Sequence, residues 1–234
     1  RDAYLRDKTW CYWQHASTPF DAAITHQWSQ WSVSWNGKTQ VSRANIPYVC
    51  VDSGRFYDIA RREIDASKSV TLQLGEKARS VSASSAEVEI TGESDAWRAK
   101  TVFDTRPAPL PKDILLQHFV GWEIETETDV FDPTTVTLMD FVGDAEDIHF
   151  FYVLPFGPRH ALIETTHFSK AVPAKEVYEQ ELRRYLADRF GLSDWRIVHR
   201  EQGVIPMPRQ APNLAARDHR QIIPMGLHSD TVKP

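Results

Sequence analysis

Closely spaced glycines are missing from this chain. Its ten glycines stand at 37, 54, 75, 92, 121, 143, 157, 191, 203 and 226, so no two are closer than twelve residues. Both glycine loops that cradle phosphates need glycines two to five apart, and neither is present. Cysteine is scarce as well. Cys11 and Cys50 stand alone, form no metal pattern and no CxxC, and read as two buried thiols in a reducing compartment. No stretch approaches 18 consecutive apolar residues, which excludes a spanning helix. An excess of positive charge is lacking too. The 27 Lys and Arg are outnumbered by 32 Asp and Glu, for a net charge of −5, which argues against a nucleic-acid partner. Arg1-Asp2-Ala3-Tyr4 has no apolar h-region, and we expect no signal peptide. The chain begins without Met and stops at Thr231-Val232-Lys233-Pro234, so we expect a fragment of a longer protein.

What is present is an ordinary globular composition, 41% apolar and 25% charged over 234 residues, with 8 Trp. That is enough chain to bury a real core in one large domain or two small ones. Trp31, Val33 and Trp35 alternate with Ser32 and Ser34, so 27–35 reads as a strand, and Asn36-Gly37 signals a turn after it. Residues 53–67 put Phe56, Ile59, Ala60 and Ile64 on one helical face, with Ser53 as N-cap. Short alternating runs at 70–74, 86–90 and 100–104 suggest a meander, followed by a Pro-rich connection at 106–113. Four further strands are expected within 114–130 and at 136–141, 148–154 and 160–166, and 110–166 reads as one antiparallel sheet whose open face could cover a ligand. A helix over 174–190 would bury Val177, Tyr178, Leu182, Tyr185, Leu186 and Phe190, ending at Gly191. A last strand, 195–200, leads to a polar, basic tail at 208–220. Strands outnumber helices, so the fold class is α/β (α+β).

The nine histidines show no HxH or HExxH spacing, and no metal site is expected. No GxSxG elbow exists. The acids carry more information. Phe119, Gly121, Glu123, Glu125 and Glu127 alternate with Val120, Trp122 and Ile124. One reading is an outer strand face wetted by carboxylates. The other is a carboxylic acid kept protonated by an aromatic pocket, able to deliver a proton at neutral pH. Gly121 would let something approach the backbone closely. Asp140, between Met139 and Phe141, is a second acid candidate, with a paired structural role as the alternative.

Several segments resemble bacterial lycopene β-cyclases: FVGWEIET (119–126), LMDF (138–141), FYVLPFGPRHALIETTHFS (151–169) and REQGVIPM (200–207). Lys8-Thr9-Trp10, PYVCVDSGRFYDIARREI (47–64), VFDTRP (102–107) and GLHSDTVKP (226–234) are similar to further family segments. The resemblance covers essentially the whole chain as an internal fragment.

It implies an FAD-dependent but redox-neutral isomerase that closes the linear ends of lycopene into β-ionone rings. The flavin would act in its reduced form, with NADPH as reductant. Glu123, in the F-x-G-x-E context, would be the catalytic acid, with Asp140 as the Asp of the MD motif. Phe119, Gly121, Trp122, Glu125, Phe151, Tyr152 and Glu164 would bind substrate. Asp104, Arg106, Gly226 and Asp230 would contact the cofactor. By resemblance, 1–109 is a partial FAD-binding domain lacking its glycine-rich βαβ start. Residues 110–207 form an antiparallel-sheet substrate domain with one helix, and 208–234 return to the FAD-binding domain. Linear carotenoids imply peripheral contact at the cytoplasmic face of a bacterial membrane, with the aromatic 10–35 region a candidate edge. Two other readings stay open: a related FAD-dependent isoprenoid reductase or hydroxylase, and a non-catalytic lipid-binding domain.

Overall fold

Alternation in the first fifty residues builds three strands: β1 (Thr9–Trp13), β2 (Ile24–Trp35) and β3 (Lys38–Asp52). Asn36 and Gly37 both take positive φ, 50° and 70°, the backbone a two-residue hairpin turn needs. Strand β3 runs directly into helix α1 (Ser53–Ala66). Its cap differs from the expectation. Asp52 Oδ1 accepts the Arg55 backbone N–H at 2.8 Å, whereas Ser53 is fully buried and its Oγ accepts the backbone N–H groups of Asp7 and Lys8. The carboxylate takes the capping role because the hydroxyl is turned inward to satisfy another segment.

The remaining elements follow in order: β4 (Ser80–Ala83), β5 (Val88–Thr91), β6 (Ala96–Ala99), β7 (Val102–Asp104), β8 (Leu115–Glu125), β9 (Thr135–Phe141), β10 (Ile148–Gly157), β11 (His160–Ser169), α2 (Lys175–Phe190), β12 (Arg196–Met207) and β13 (Ile222–Pro224). This computed structural model describes residues 3–84, 86–106, 113–143, 148–207 and 221–226. The strand expected at 70–74 is absent. Those residues are exposed or half-exposed and pair with no strand, so their alternation has no sheet to serve. The 208–220 tail lies outside the described residues, as does most of the 106–113 connection.

The chain divides into two compact units. One groups 5–62 with 116–205; the other groups 1–4, 63–115 and 206–234. This grouping differs from the division drawn from sequence, because 5–62 joins the large sheet instead of staying with 63–109. The smaller unit holds the antiparallel meander β4–β5–β6 and a parallel pair in which Ile222–Pro224 aligns with Val102–Asp104.

The larger unit is an eight-stranded sheet in the order β1-β3-β2-β9-β10-β11-β8-β12. Strands β8 to β11 pair antiparallel, as expected, but the sheet as a whole is mixed. Strands β2 and β9 run parallel, Gln30 beside Thr135 and Ser34 beside Asp140. Burial explains this seam. Trp28 and Cys50 of the first three strands pack with Val136, Leu154 and Leu162 of the later ones, and the Trp28 indole donates to the Pro155 carbonyl at 3.2 Å. The aromatics of 10–35 mostly serve this packing. Trp13 meets Trp31 and Tyr48 edge to face, and Trp35 alone among the tryptophans of that region is exposed, at 61%.

Helix α2 covers the opposite sheet face. Tyr178, Leu182, Tyr185 and Leu186 pack on Val120, Trp122, Ile124, Phe151, Val153 and Ile163. Gly191 ends the helix at φ 65°, its N–H bonded to the Ala187 carbonyl. Val177, expected in the buried stripe, is 41% exposed, because it precedes the turn at which the helix meets the sheet. No helix among the described residues is long and apolar enough to cross a membrane.

Candidate functional site

The cross-strand register sorts the candidate residues by face. Glu123 pairs with Leu162, Gly121 with Glu164 and Phe119 with Thr166; Tyr152 is the next partner of Glu164. Paired residues share a face, so Phe119, Gly121, Glu123, Tyr152 and Glu164 all lie on the side away from α2. Trp122 pairs with Ile163 and points beneath the helix. Trp122 is 1% exposed, with its indole N–H unpaired among the described residues. Phe151 lies on that side too, stacked on Tyr185 with centroids 3.9 Å apart. Neither ring lines the face that carries Glu123. Both are core under α2.

Glu123 is 4% exposed, so the wetted-face reading does not hold for it. Nor is it an isolated acid among aromatics, as the sequence suggests. Arg6 Nη2 donates to Oε2 at 2.5 Å, and His160 Nε2 lies 2.8 Å from Oε1. Arg6 Nε also pairs with Asp52 Oδ2 at 2.9 Å. Both carboxyl oxygens are thus held by nitrogen groups in charge-assisted geometry. Two more histidines lie on this face. Burial, then repulsion from His160, holds His26 below its ordinary range; burial, then Arg6, does the same for His199. A cavity of about 170 Å³ opens here, lined by Arg6, Thr9, His26, Glu123, Phe156 and His160 among others. Glu125, at the end of the strand, is half-exposed and pairs with Arg196; Glu127 lies beyond the strand in solvent.

Something does approach Gly121 closely, and it is the side chain of Glu201 from β12. A Cβ at Gly121 would sit 3.0 Å from Glu201 Cγ and 3.1 Å from Leu162 Cδ1. Gly203 makes similar room for the Phe119 ring. Glu201 is buried, and its side chain lies over Gly121, the ladder partner of Glu164. Burial, reinforced by Glu201, pushes the Glu164 carboxyl well above the usual range, and burial raises Glu201 likewise. Burial, then Glu164, pushes the neighbouring Tyr152 phenol up to about 12.

Asp140 does not join this group. Strand β9 carries an extra residue: Ser32 faces Thr137 and Val33 faces Met139, leaving Leu138 unmatched. This bulge turns Asp140 to the α2 side, where it pairs with Phe151 in the ladder. The Tyr185 hydroxyl donates to Asp140 at 2.8 Å and Arg189 lies 3.4 Å away. Asp140 borders a cavity of about 680 Å³ with His149, Glu181, Arg184 and Asp188. The two acid candidates are therefore on opposite faces of the sheet.

The candidate cofactor contacts lie in the smaller unit. Asp104 is buried, and Arg106 forks it with Nε to Oδ1 at 3.0 Å and Nη2 to Oδ2 at 2.8 Å. The Met225 backbone N–H bonds the Asp104 carbonyl, beside Gly226 at φ 60°. Asp230 lies outside the described residues. This set does not fit a flavin pyrophosphate: Asp104 and Arg106 satisfy each other, and no glycine cradle accompanies them.

Sequence reasoning missed Arg6, Asp52, His160 and Glu201 as partners in one site. Arg6 meets Glu123 across 117 positions, a pairing no local pattern encodes. Asp52, His160 and Glu201 each had a signal, their places in the 47–64, 151–169 and 200–207 segments; Arg6 had none.

Comparison with known proteins adds three findings. A family described as lycopene cyclase protein matches residues 3–234. A lycopene beta-cyclase of Pantoea ananas is 24% identical over 217 residues, covering 90% of this chain and 53% of its own length, so this chain spans about half of that relative. Among solved structures, a geranylgeranyl bacteriochlorophyll reductase-like protein of Thermoplasma acidophilum superposes with a TM-score of 0.67 at 12% identity, over 94% of this chain and 61% of that one. A halogenase solved in complex with phloroglucinol and FAD gives 0.55 at 12% identity, over 79% and 44%. The mixed sheet with its two helices thus resembles the β-domain of FAD-binding flavoproteins.

Proposed function

The chain belongs to the lycopene cyclase protein family, and from that premise we propose that it carries the acid-bearing sheet of a redox-neutral cyclisation of lycopene ends to β-ionone rings. The observation that supports this most is Glu123, buried on the sheet face away from α2 and held by Arg6 and His160. Cyclisation starts when a proton is added to the terminal double bond. The tertiary cation that results is attacked by the internal alkene, and the ring then loses a proton.

Glu123 is the proton donor in this reading. The cation must be kept from water, which would hydrate it. Phe119 and Phe156 offer aromatic surface to it, and aromatic faces attract cations without reacting with them. Reduced FAD, with NADPH as reductant, belongs to the whole enzyme in this reading, and no step here depends on it. Because the substrate partitions into lipid, we place the enzyme peripherally at the cytoplasmic face of a bacterial membrane.

The test is colour. Expressing a gene that supplies this chain together with a glycine-rich FAD-binding segment in a lycopene-accumulating bacterium should turn red cells yellow-orange. Glu123→Gln should leave them red. NADPH oxidised one-to-one with product would replace this reading with isoprenoid reduction, and cells that stay red with the unaltered gene would overturn it.

A further inference from the structure

On the sheet face under α2, the strand register brings together side chains that the sequence keeps far apart. His149 of β10 is the ladder partner of His167 of β11, and His167 is in turn the ladder partner of His118 of β8. Paired residues share a face, so the three imidazoles form a row across the sheet. The Tyr178 hydroxyl of α2 lies 2.5 Å from His118 Nδ1 at one end of the row. Glu181, three residues further along the helix, meets His167 and His149 at the other. We propose that His149, His167 and Glu181 form a binding site for a zinc ion, with one imidazole from each of two neighbouring strands and one carboxylate from the helix that covers them.

Convergence of the donor atoms carries the assignment. His167 Nε2 lies 2.9 Å from Glu181 Oε2, and His149 Nε2 lies 3.6 Å from the same oxygen. One ligand atom from each residue can be chosen so that all three lie within 4.8 Å of one another. Ligands about 2.0–2.2 Å from a tetrahedral ion stand roughly 3.3–3.6 Å apart, so these donors already stand close to the spacing zinc imposes. Two imidazoles and a carboxylate are a donor set zinc takes without any thiolate, and imidazole disfavours the oxygen-seeking cations magnesium and calcium.

The surroundings hold these donors in place. The side chains of His149, His167 and Glu181 are only 15%, 18% and 22% exposed. Thr165, on the same strand face, donates its Oγ1 proton to Glu181 Oε2 at 2.8 Å, the kind of outer contact that orients a ligating carboxylate. The same hydroxyl lies 2.8 Å from His149 Nε2; once zinc takes that nitrogen, the bond to Glu181 remains. The His167 ring is stacked between two others, with centroids 3.8 Å from His149 and 5.4 Å from His118. His118 is a spacer and not a ligand, because Tyr178 and Ser169 occupy its two nitrogens. His149 and Glu181 also border the cavity of about 680 Å³, which gives an ion a way in and supplies water for a fourth position.

The expectation of no metal site rests on spacing alone. Donors at 149, 167 and 181 match neither HxH nor HExxH, and the antiparallel ladder supplies the proximity instead. Zinc here would tie α2 to β10 and β11, on the sheet face opposite Glu123. An ion that binds only the folded chain stabilises it.

Zinc itself is the probe, added to the purified chain after chelator treatment and dialysis. The unaltered chain should take up one zinc ion at micromolar metal, and zinc should raise its midpoint of chemical denaturation. X-ray absorption at the zinc edge should show nitrogen and oxygen ligands only, with outer scattering from two imidazoles. Glu181→Gln, which keeps the shape of the side chain, and His167→Gln should each weaken uptake by more than ~10²-fold, and Thr165→Val by ~10–10²-fold. His15→Ala, at an exposed histidine, should change nothing. No uptake by the unaltered chain, sulfur in the edge spectrum, or uptake that Glu181→Gln and His167→Gln leave intact overturns the site. Should a variant lose its far-ultraviolet circular dichroism, the edge spectrum of the unaltered chain decides, and fewer than two imidazoles there overturns the site as well. None of these readouts depends on lycopene conversion.

Discussion

At the scale of the residue, position on a face separates two acids that look alike in sequence. Glu123 and Asp140 each interrupt an apolar strand, yet the β9 bulge places Asp140 under α2 with Tyr185 and Arg189. We expect Glu123→Gln to lower cyclisation by ~10²–10⁴-fold, the usual worth of a general acid. Asp140→Asn should leave the carotenoid profile unchanged, as read by chromatography of cell extracts. The acid pair also makes a pH prediction. Glu164 and Glu201 are raised in the folded chain, which therefore binds more protons than the unfolded chain above the ordinary carboxylate range. Stability from these two groups is full below about pH 4.3 and is lost as pH rises through their folded values. Urea unfolding across pH 4 to 8 should show a downward slope that Glu164→Gln flattens.

At the scale of the element, helix α2 and strand β8 show what packing adds to pattern. The stripe Tyr178, Leu182, Tyr185 and Leu186 is buried on the sheet, and Leu182 is fully enclosed. Leu182→Ala should cost about 2–5 kcal/mol in chemical denaturation, the range for deleting a buried leucine side chain. Strand β8 is buried on both faces, which a strict apolar–polar alternation would not suggest. Its polar face is covered by Arg6, His160 and Glu201 from other elements. Gly121→Ala would press a methyl group against Glu201 and Leu162, and should lower the midpoint of chemical denaturation while far-ultraviolet circular dichroism is retained.

At the scale of the whole molecule, the chain holds an eight-stranded mixed sheet but no closely spaced glycines to cradle a phosphate. Its glycines are too far apart for one, and Asp104 and Arg106 already neutralise each other. Equilibrium dialysis of the 234-residue chain against FAD should therefore show no saturable retention at micromolar flavin, while a longer protein carrying a glycine-rich βαβ segment should retain it. Saturable retention by this chain would mean that donors outside the Asp104–Arg106 pair hold the flavin.

Local chemistry was legible in the amino-acid sequence because it depends on near neighbours. The period of two along 119–125, the Asn36-Gly37 turn and the 174–190 helix with its Gly191 stop all follow from short-range spacing, and the segments around Glu123 and Glu164 were legible by family resemblance. Only the tertiary structure decided which side chains meet. The parallel β2–β9 seam, the turn of Asp140 to the far face, the clamp of Arg6 on Glu123 and the meeting of Glu164 with Glu201 join residues far apart in the chain. Such contacts arise from burying one sheet face against another segment, and a one-residue bulge is enough to reverse which face a side chain serves.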